Sequence, residues 1–144
     1  MTNKGMLRII DANFNRCKEG LRVIEDIYRF ILEDDASRKK IRKIRHSLDE
    51  IANEKVLKDA ILSRDARGDL GKDVDVLEVN RRDCDQILSI NFQRVKESLR
   101  VLEEFFKIII PRRVEDIKKI RYQIYTAEKK SIMGKGAFLR CRKK

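Results

Sequence analysis

Several polar residues recur in this chain at matched places. Asn13 and Arg16 stand three apart in "NFNRCKEGLRVIEDIYRF" (residues 13–30). Asn91 and Arg94 repeat that spacing in "NFQRVKESLRVLEEFFKI" (residues 91–108). Arg45 and Arg121 each follow a Lys-Ile pair, in "IRKIRHSL" (residues 41–48) and "IKKIRYQI" (residues 117–124). Guanidinium groups brought together from facing helices build an anion pocket, because their planar forks grip phosphate oxygens two at a time and an ammonium does not. Between the repeated phrases lies "SRDARGDLGKD" (residues 63–73), which interleaves Asp65, Asp69 and Asp73 with Arg64, Arg67 and Lys72 and carries Gly68 and Gly71.

The elements that must position these residues follow from the repeat. The two long phrases align without a gap at an offset of 78 residues, with nine of 18 positions identical. Average residue usage gives roughly one match by chance. The second pair of phrases aligns at an offset of 76, so a turn between phrases absorbs the difference. A duplicated unit of two segments is the simplest explanation, and a repeat governs the choice of fold.

Phe14, Cys17, Leu21, Ile24, Tyr28 and Ile31 recur at spacings of three and four, which predicts a helix with one apolar face. Phe92, Val95, Leu99, Leu102, Phe106 and Ile109 form the same stripe in the second copy. Asp11 and Ser89 are N-cap types just upstream, with room for either helix to begin a few residues earlier. "EDDAS" (residues 33–37) breaks the first helix, and the next is predicted from about Ser37 to Asp59 with Ile41, Ile44, Leu48, Ile51 and Val56 inward. Pro111 marks the matching break, followed by a helix over about Arg112–Lys130.

Short connections make neighbouring helices antiparallel. The predicted fold is therefore all-α: two duplicated antiparallel helical hairpins (residues 7–60 and 86–130) with approximate internal two-fold symmetry, joined by a long central loop (residues 61–85). Residues 131–144 form a basic tail, expected to be flexible. A connector as long as the central loop is often functional, the plain alternative being a solvated crossover.

Asn13, Arg16, Asn91 and Arg94 sit at the edge of their apolar stripes. A helix built only for packing has no use for them there, and a buried polar group needs a partner. They either bind a ligand or bridge the hairpins. Arg22 is spaced to pair with Glu19 and Asp26, and Arg100 with Glu97 and Glu104. With Glu25 and Glu103 these read as surface salt-bridge ladders.

The chain has 144 residues, 42% hydrophobic and 41% charged, with one Pro, and a formal net charge of +11. That suits one helical domain and excludes a disordered chain. The positive charge attracts nucleic acid, phosphorylated metabolites or acidic membrane surfaces. No apolar stretch approaches a membrane span, and "MTNKGMLRII" lacks a signal-peptide core. Cys17, Cys84 and Cys141 are odd in number and lack CxxC spacing, so they read as reduced thiols of a cytoplasmic protein. His46 is the single histidine, which argues against a zinc site.

Taken together and in order, "RIIDANFNRCKEGLRVIEDIYRF", "SRDARGDLGKD", "NFQRVKESLRVLEEF" and "IRYQIYTAEK" resemble one family over about residues 7–130. It is the small helical domain often fused ahead of thiamine phosphate synthase, regarded as an alternative hydroxymethylpyrimidine phosphate kinase of thiamine biosynthesis. After Lys130 this sequence has no room for a synthase barrel, so it reads as a stand-alone version or an excised domain.

The resemblance implies phosphoryl transfer from MgATP to the pyrimidine monophosphate, giving the pyrophosphate and ADP. The chain lacks GxxxxGK[ST], so no P-loop is offered. For that reaction Arg16, Arg94 and Asp69 are the candidate catalytic residues, with Asn13, Asn91, Arg45 and Arg121 on the substrate. Arg64, Arg67, Gly68, Gly71 and Lys72 are candidates for phosphate, and Asp65, Asp69 and Asp73 for Mg²⁺. The central segment would act as a lid.

The expected partners are the phosphorylated pyrimidine, ATP and the synthase, with no membrane. The apolar stripes close within one bundle or pair two chains as a homodimer, and both arrangements stay open. One rival is a binding or regulatory module acting with the synthase. A nucleic-acid-binding protein ranks lower, because the basic residues are interleaved with acids and no known motif is present. An Arg-lined enzyme of chorismate-mutase-like architecture rests on fold analogy alone.

Overall fold

The computed structural model describes residues 3–74 and 79–134. These form five helices: α1 (Lys4–Asp26), α2 (Asp35–Ala52), α3 (Lys55–Leu62), α4 (Cys84–Ile109) and α5 (Val114–Met133). No strand occurs among the described residues, so the chain is an all-α bundle. A π-helical turn, Ile27–Ile31, extends α1 before Glu33 turns the chain in a left-handed conformation (φ 50°). Asp34 then caps α2 by accepting from the Ser37 N–H at 3.1 Å. A 3₁₀ turn, Pro111–Arg113, leads into α5.

The core is the union of the apolar stripes. Leu21, Ile24, Leu48, Phe92, Leu99, Leu102, Phe106, Ile117 and Ile124 are fully enclosed. The largest interface joins α1 to α4; α2 and α3 pack on α1, and α5 packs on α4. The two hairpins thus meet through their first helices.

That crossing is close because small residues line it. A Cβ on Gly20 would lie 2.7 Å from Val95 Cγ2 and 3.5 Å from the Asn91 carbonyl oxygen. Ser98, the residue equivalent to Gly20, is 2% exposed and donates its hydroxyl to the Val95 carbonyl at 2.9 Å. Ser98 also faces the buried Cys17, whose thiol is pushed up to about 12 by burial. Gly20 on Val95 and Ser98 on Cys17 are the same contact under exchange of the two phrases.

Three sequence expectations change. Asp11 and Ser89 do not cap helices. The caps are Asn3, accepting from the Gly5 N–H at 2.7 Å, and Asp83, accepting from the Gln86 N–H at 2.9 Å, so both helices begin earlier. The helix expected over Ser37–Asp59 is two, α2 and α3, interrupted at Asn53–Glu54. The interruption turns Leu57 and Ala60 onto α1 and lets Glu54 accept from Arg112 and, at 2.8 Å, from Arg113 of the second hairpin. Finally, α5 runs past Lys130 to Met133, and the basic tail beyond residue 134, with Cys141, lies outside the described residues.

Candidate functional site

Four repeated arginines divide by what faces them. Arg45 donates to Glu25 at 2.9 Å and Arg121 to Glu103 at 2.8 Å, each pair joining the two helices of one hairpin. Glu25 and Glu103 are each only 4% exposed, so they belong to buried ion pairs and not to the surface ladder expected from spacing. Arg22 and Arg100 stand 3.8 and 3.7 Å from them at the surface. Arg121 also donates to the Tyr125 hydroxyl at 2.8 Å, and the Glu103 carboxylate holds its guanidinium above the ordinary value. These two arginines are spent on architecture.

Arg16 and Arg94 are exposed and make no ion pair among the described residues. They line one cleft of about 630 Å³ between α1 and α4, with Asn13, Glu97, Ser98 and Val101. The close Gly20–Ser98 crossing brings them to a common opening. Arg16 donates to the Asn13 side-chain oxygen at 3.4 Å. Asn13 and Asn91 each return their amide N–H to the carbonyl one helical turn back, Ile9 at 2.9 Å and Ile87 at 2.8 Å. Asn13 reaches the cleft; Asn91 lies 8% exposed beside Gly20, in the helix crossing. Glu97, the acid of this cleft, accepts from Gln93 at 3.0 Å.

A second cleft of about 430 Å³ adjoins the first and shares Asn13 and Arg16 with it. It lies between the start of α1 and the central segment, and Arg8, Asp11, Arg64, Asp65 and Asp69 line it. One ion pair holds the segment there. Arg64 grips both oxygens of Asp11, each at 2.7 Å, and Asp11 is 6% exposed. This bidentate geometry raises the Arg64 guanidinium above its ordinary value.

Within the segment, the Gly68 N–H donates to Asp65 at 2.9 Å and the Gly71 N–H to Asp69 at 2.7 Å. The two glycine N–H groups expected to meet phosphate are thus turned inward on aspartates. Lys72 donates to the Arg67 carbonyl at 2.8 Å, and neither residue lines the cleft. Asp65 and Asp69 share the cleft but Asp73 does not join them, and no three His, Cys, Asp or Glu side chains gather around a metal position among the described residues. Two carboxylates suit Mg²⁺ that arrives with phosphate oxygens and keeps its waters.

Arg8 was missed by the sequence reading. It is exposed, follows no repeated pattern and lies on the first turns of a helix that begins earlier than its apolar stripe suggested. Its signal was the N-cap type Asn3 five residues upstream, which starts the helix early enough to carry Arg8.

The family model for ThiD2 matches residues 8–130. The chain belongs to the ThiD2 family. Proteins named thiamine-phosphate synthase are similar to it. The one from Nostoc punctiforme is 37% identical over 128 residues, covering 88% of this chain and 35% of that protein. The one from Rhodopirellula baltica is 37% identical over 129 residues, covering 87% and 34%. The one from Synechocystis is 36% identical over 122 residues, covering 84% and 34%. The chain therefore spans about a third of the length of the curated relatives it matches. No solved structure matches it. No helix among the described residues is long and apolar enough to cross a membrane.

Proposed function

We propose that this ThiD2 protein works in thiamine biosynthesis as a kinase, phosphorylating hydroxymethylpyrimidine phosphate to the pyrophosphate with ATP. The observation that carries this reading is the pair Arg16 and Arg94, exposed, without carboxylate partners, and facing one cleft across the α1–α4 crossing.

The reaction breaks the bond between the γ-phosphorus and the oxygen bridging it to the β-phosphate. It forms a bond from that phosphorus to an oxygen of the acceptor's phosphate. ADP keeps the bridging oxygen and its electrons. The acceptor attacks as a phosphate dianion, so no proton has to be removed from the nucleophile. The difficulty is electrostatic: two polyanions must approach in line. Fixed guanidinium groups answer that need, and a general base does not. Arg16 and Arg94 lower the repulsion, Asn13 orients a polar ring or phosphate oxygen, and Ser98 and Val101 give the cleft a small-residue wall. Magnesium, when bound with the nucleotide, would be held by Asp65 and Asp69 and would offset charge on its phosphates.

A second reading, a binding or regulatory module that acts with a synthase, is favoured by one observation: the relatives that this chain matches over a third of their length are named for the synthase. The deciding experiment is product identification. The protein is incubated with MgATP and hydroxymethylpyrimidine phosphate, and mass spectrometry looks for the pyrophosphate, with the unphosphorylated pyrimidine as control. Pyrophosphate from the monophosphate alone supports the kinase. Folded protein that yields none across several divalent metals overturns it in favour of the module.

A further inference from the structure

The two adjoining clefts hold different donor sets. The α1–α4 cleft offers Arg16 and Arg94, two neutral polar groups, and one glutamate already held by Gln93. The cleft under the central segment offers Arg8, Arg16 and Arg64 together with Asp65 and Asp69. Volume does not separate them, at about 630 and about 430 Å³. Charge does. Two unpaired guanidiniums against one carboxylate leave the α1–α4 cleft a positive surplus, which suits a bare phosphate. In the segment cleft Arg64 is matched by Asp11, and two further carboxylates beside the guanidiniums of Arg8 and Arg16 match a polyphosphate that carries its own divalent cation, since Mg²⁺ binds through one or two carboxylates plus phosphate oxygens.

Asp11 is not one of those carboxylates. Both of its oxygens are taken by the Arg64 Nε and Nη2, which leaves Nη1 directed elsewhere and fixes the segment against α1. Asp65 and Asp69 each give one oxygen to a glycine N–H and make no ion pair among the described residues, although Arg64, Arg67 and Lys72 are sequence neighbours. Arg8 and Arg16 likewise have no carboxylate partner among them.

We infer that the cleft between α1 and the central segment seats a magnesium-complexed nucleotide polyphosphate, with Arg8 as a phosphate-binding residue. The α1–α4 cleft seats the monophosphate acceptor on Arg94, and Arg16, on the shared wall, meets both. This division of labour rests on the phosphoryl-transfer reading. It also gives Arg16 the one place where the transferring group can be touched from either side.

Calorimetric titration tests it without turnover. Wild type is titrated with hydroxymethylpyrimidine phosphate in EDTA, and with the non-hydrolysable ATP analogue AMPPNP in Mg²⁺ or in EDTA. The nucleotide is expected to need the metal and the monophosphate is not. Arg8→Ala should weaken Mg-AMPPNP at least about tenfold, the scale of one charged hydrogen bond, and leave the monophosphate within about twofold. Arg94→Ala should do the reverse, and Arg16→Ala should weaken both. Asp69→Asn keeps the acceptor oxygen for Gly71 and should remove most of the advantage that Mg²⁺ gives. Circular dichroism confirms that each variant is folded. If Arg8→Ala and Arg94→Ala affect the two ligands alike, or Arg94 alone governs the nucleotide, the division is overturned while the kinase reading stands. If wild type binds neither ligand, the kinase reading falls and takes the division with it.

Discussion

Arg16 and Arg94 occupy equivalent places, as do Arg45 and Arg121, but the two pairs have opposite surroundings. Arg45 and Arg121 each point back across their own hairpin into a glutamate that is 4% exposed. Arg16 and Arg94 point into open space between the hairpins and make no ion pair among the described residues. The residue type is the same, and so is the recurrence. The partner decides: a guanidinium matched to a buried carboxylate fixes two helices, and one left unmatched in a cleft is available to an anion.

The largest effect that would sharpen this contrast comes from removing a buried partner. Glu103→Ala leaves Arg121 enclosed and uncompensated, and should destabilise the fold by about 3–5 kcal/mol. Urea unfolding followed by circular dichroism would read it. A loss within about 0.5 kcal/mol would mean that the pair is no more structural than an exposed one. Next comes Arg94→Ala, expected to lower kcat by about 100-fold or more for the proposed transfer. Its unfolding midpoint should stay close to wild type, because the side chain is exposed. A destabilised Arg94→Ala would erase the distinction between the pairs.

Gly20→Ala should cost about 1–2 kcal/mol, since the added methyl meets Val95 at 2.7 Å. The same substitution made on a Val95→Ala background should cost less, because that contact is gone. Equal costs would show that the crossing tolerates a wider spacing than its contacts imply.

The smallest effect lies in pH. Glu54 is held below its ordinary 4.5 first by its hydrogen bond from Arg113, with the charge of Arg112 adding to it. Its contribution to stability is therefore fully present above pH 4.5 and is lost as pH falls through the lower folded value. Glu54→Gln should lower the urea midpoint slightly near neutrality, where that contribution is present, and converge on wild type in acid, so that its acid-side decline is shallower. An unchanged acid limb would show that this link between the hairpins contributes nothing measurable.

The helices were legible in the sequence because their apolar positions keep one period over long runs. Arg16 and Arg94 were legible because a polar residue at the edge of such a stripe stands out on a single helix. The role of Arg45 and Arg121 was not, because Glu25 and Glu103 lie on the preceding helix and meet them only after the hairpin closes. The break at Asn53–Glu54 was hidden for a related reason: no Gly or Pro marks it, and tertiary contacts of Glu54, Leu57 and Ala60 reward it. Asp11 looked like a cap because it is the right residue type before an apolar run. Its partner Arg64 is 53 residues away, beyond the reach of any local pattern.

Cys17 gives the helix crossing a chemical clock. Its thiol is enclosed against Ser98 and raised to about 12, so almost none is thiolate at neutral pH while α1 and α4 stay together. A maleimide or disulfide reagent can reach it only when the helices part. In a protein whose Cys84 and Cys141 are replaced by serine, the labelling rate would report how often the two hairpins separate. A ligand held by both Arg16 and Arg94 should slow that rate, whether or not any reaction follows.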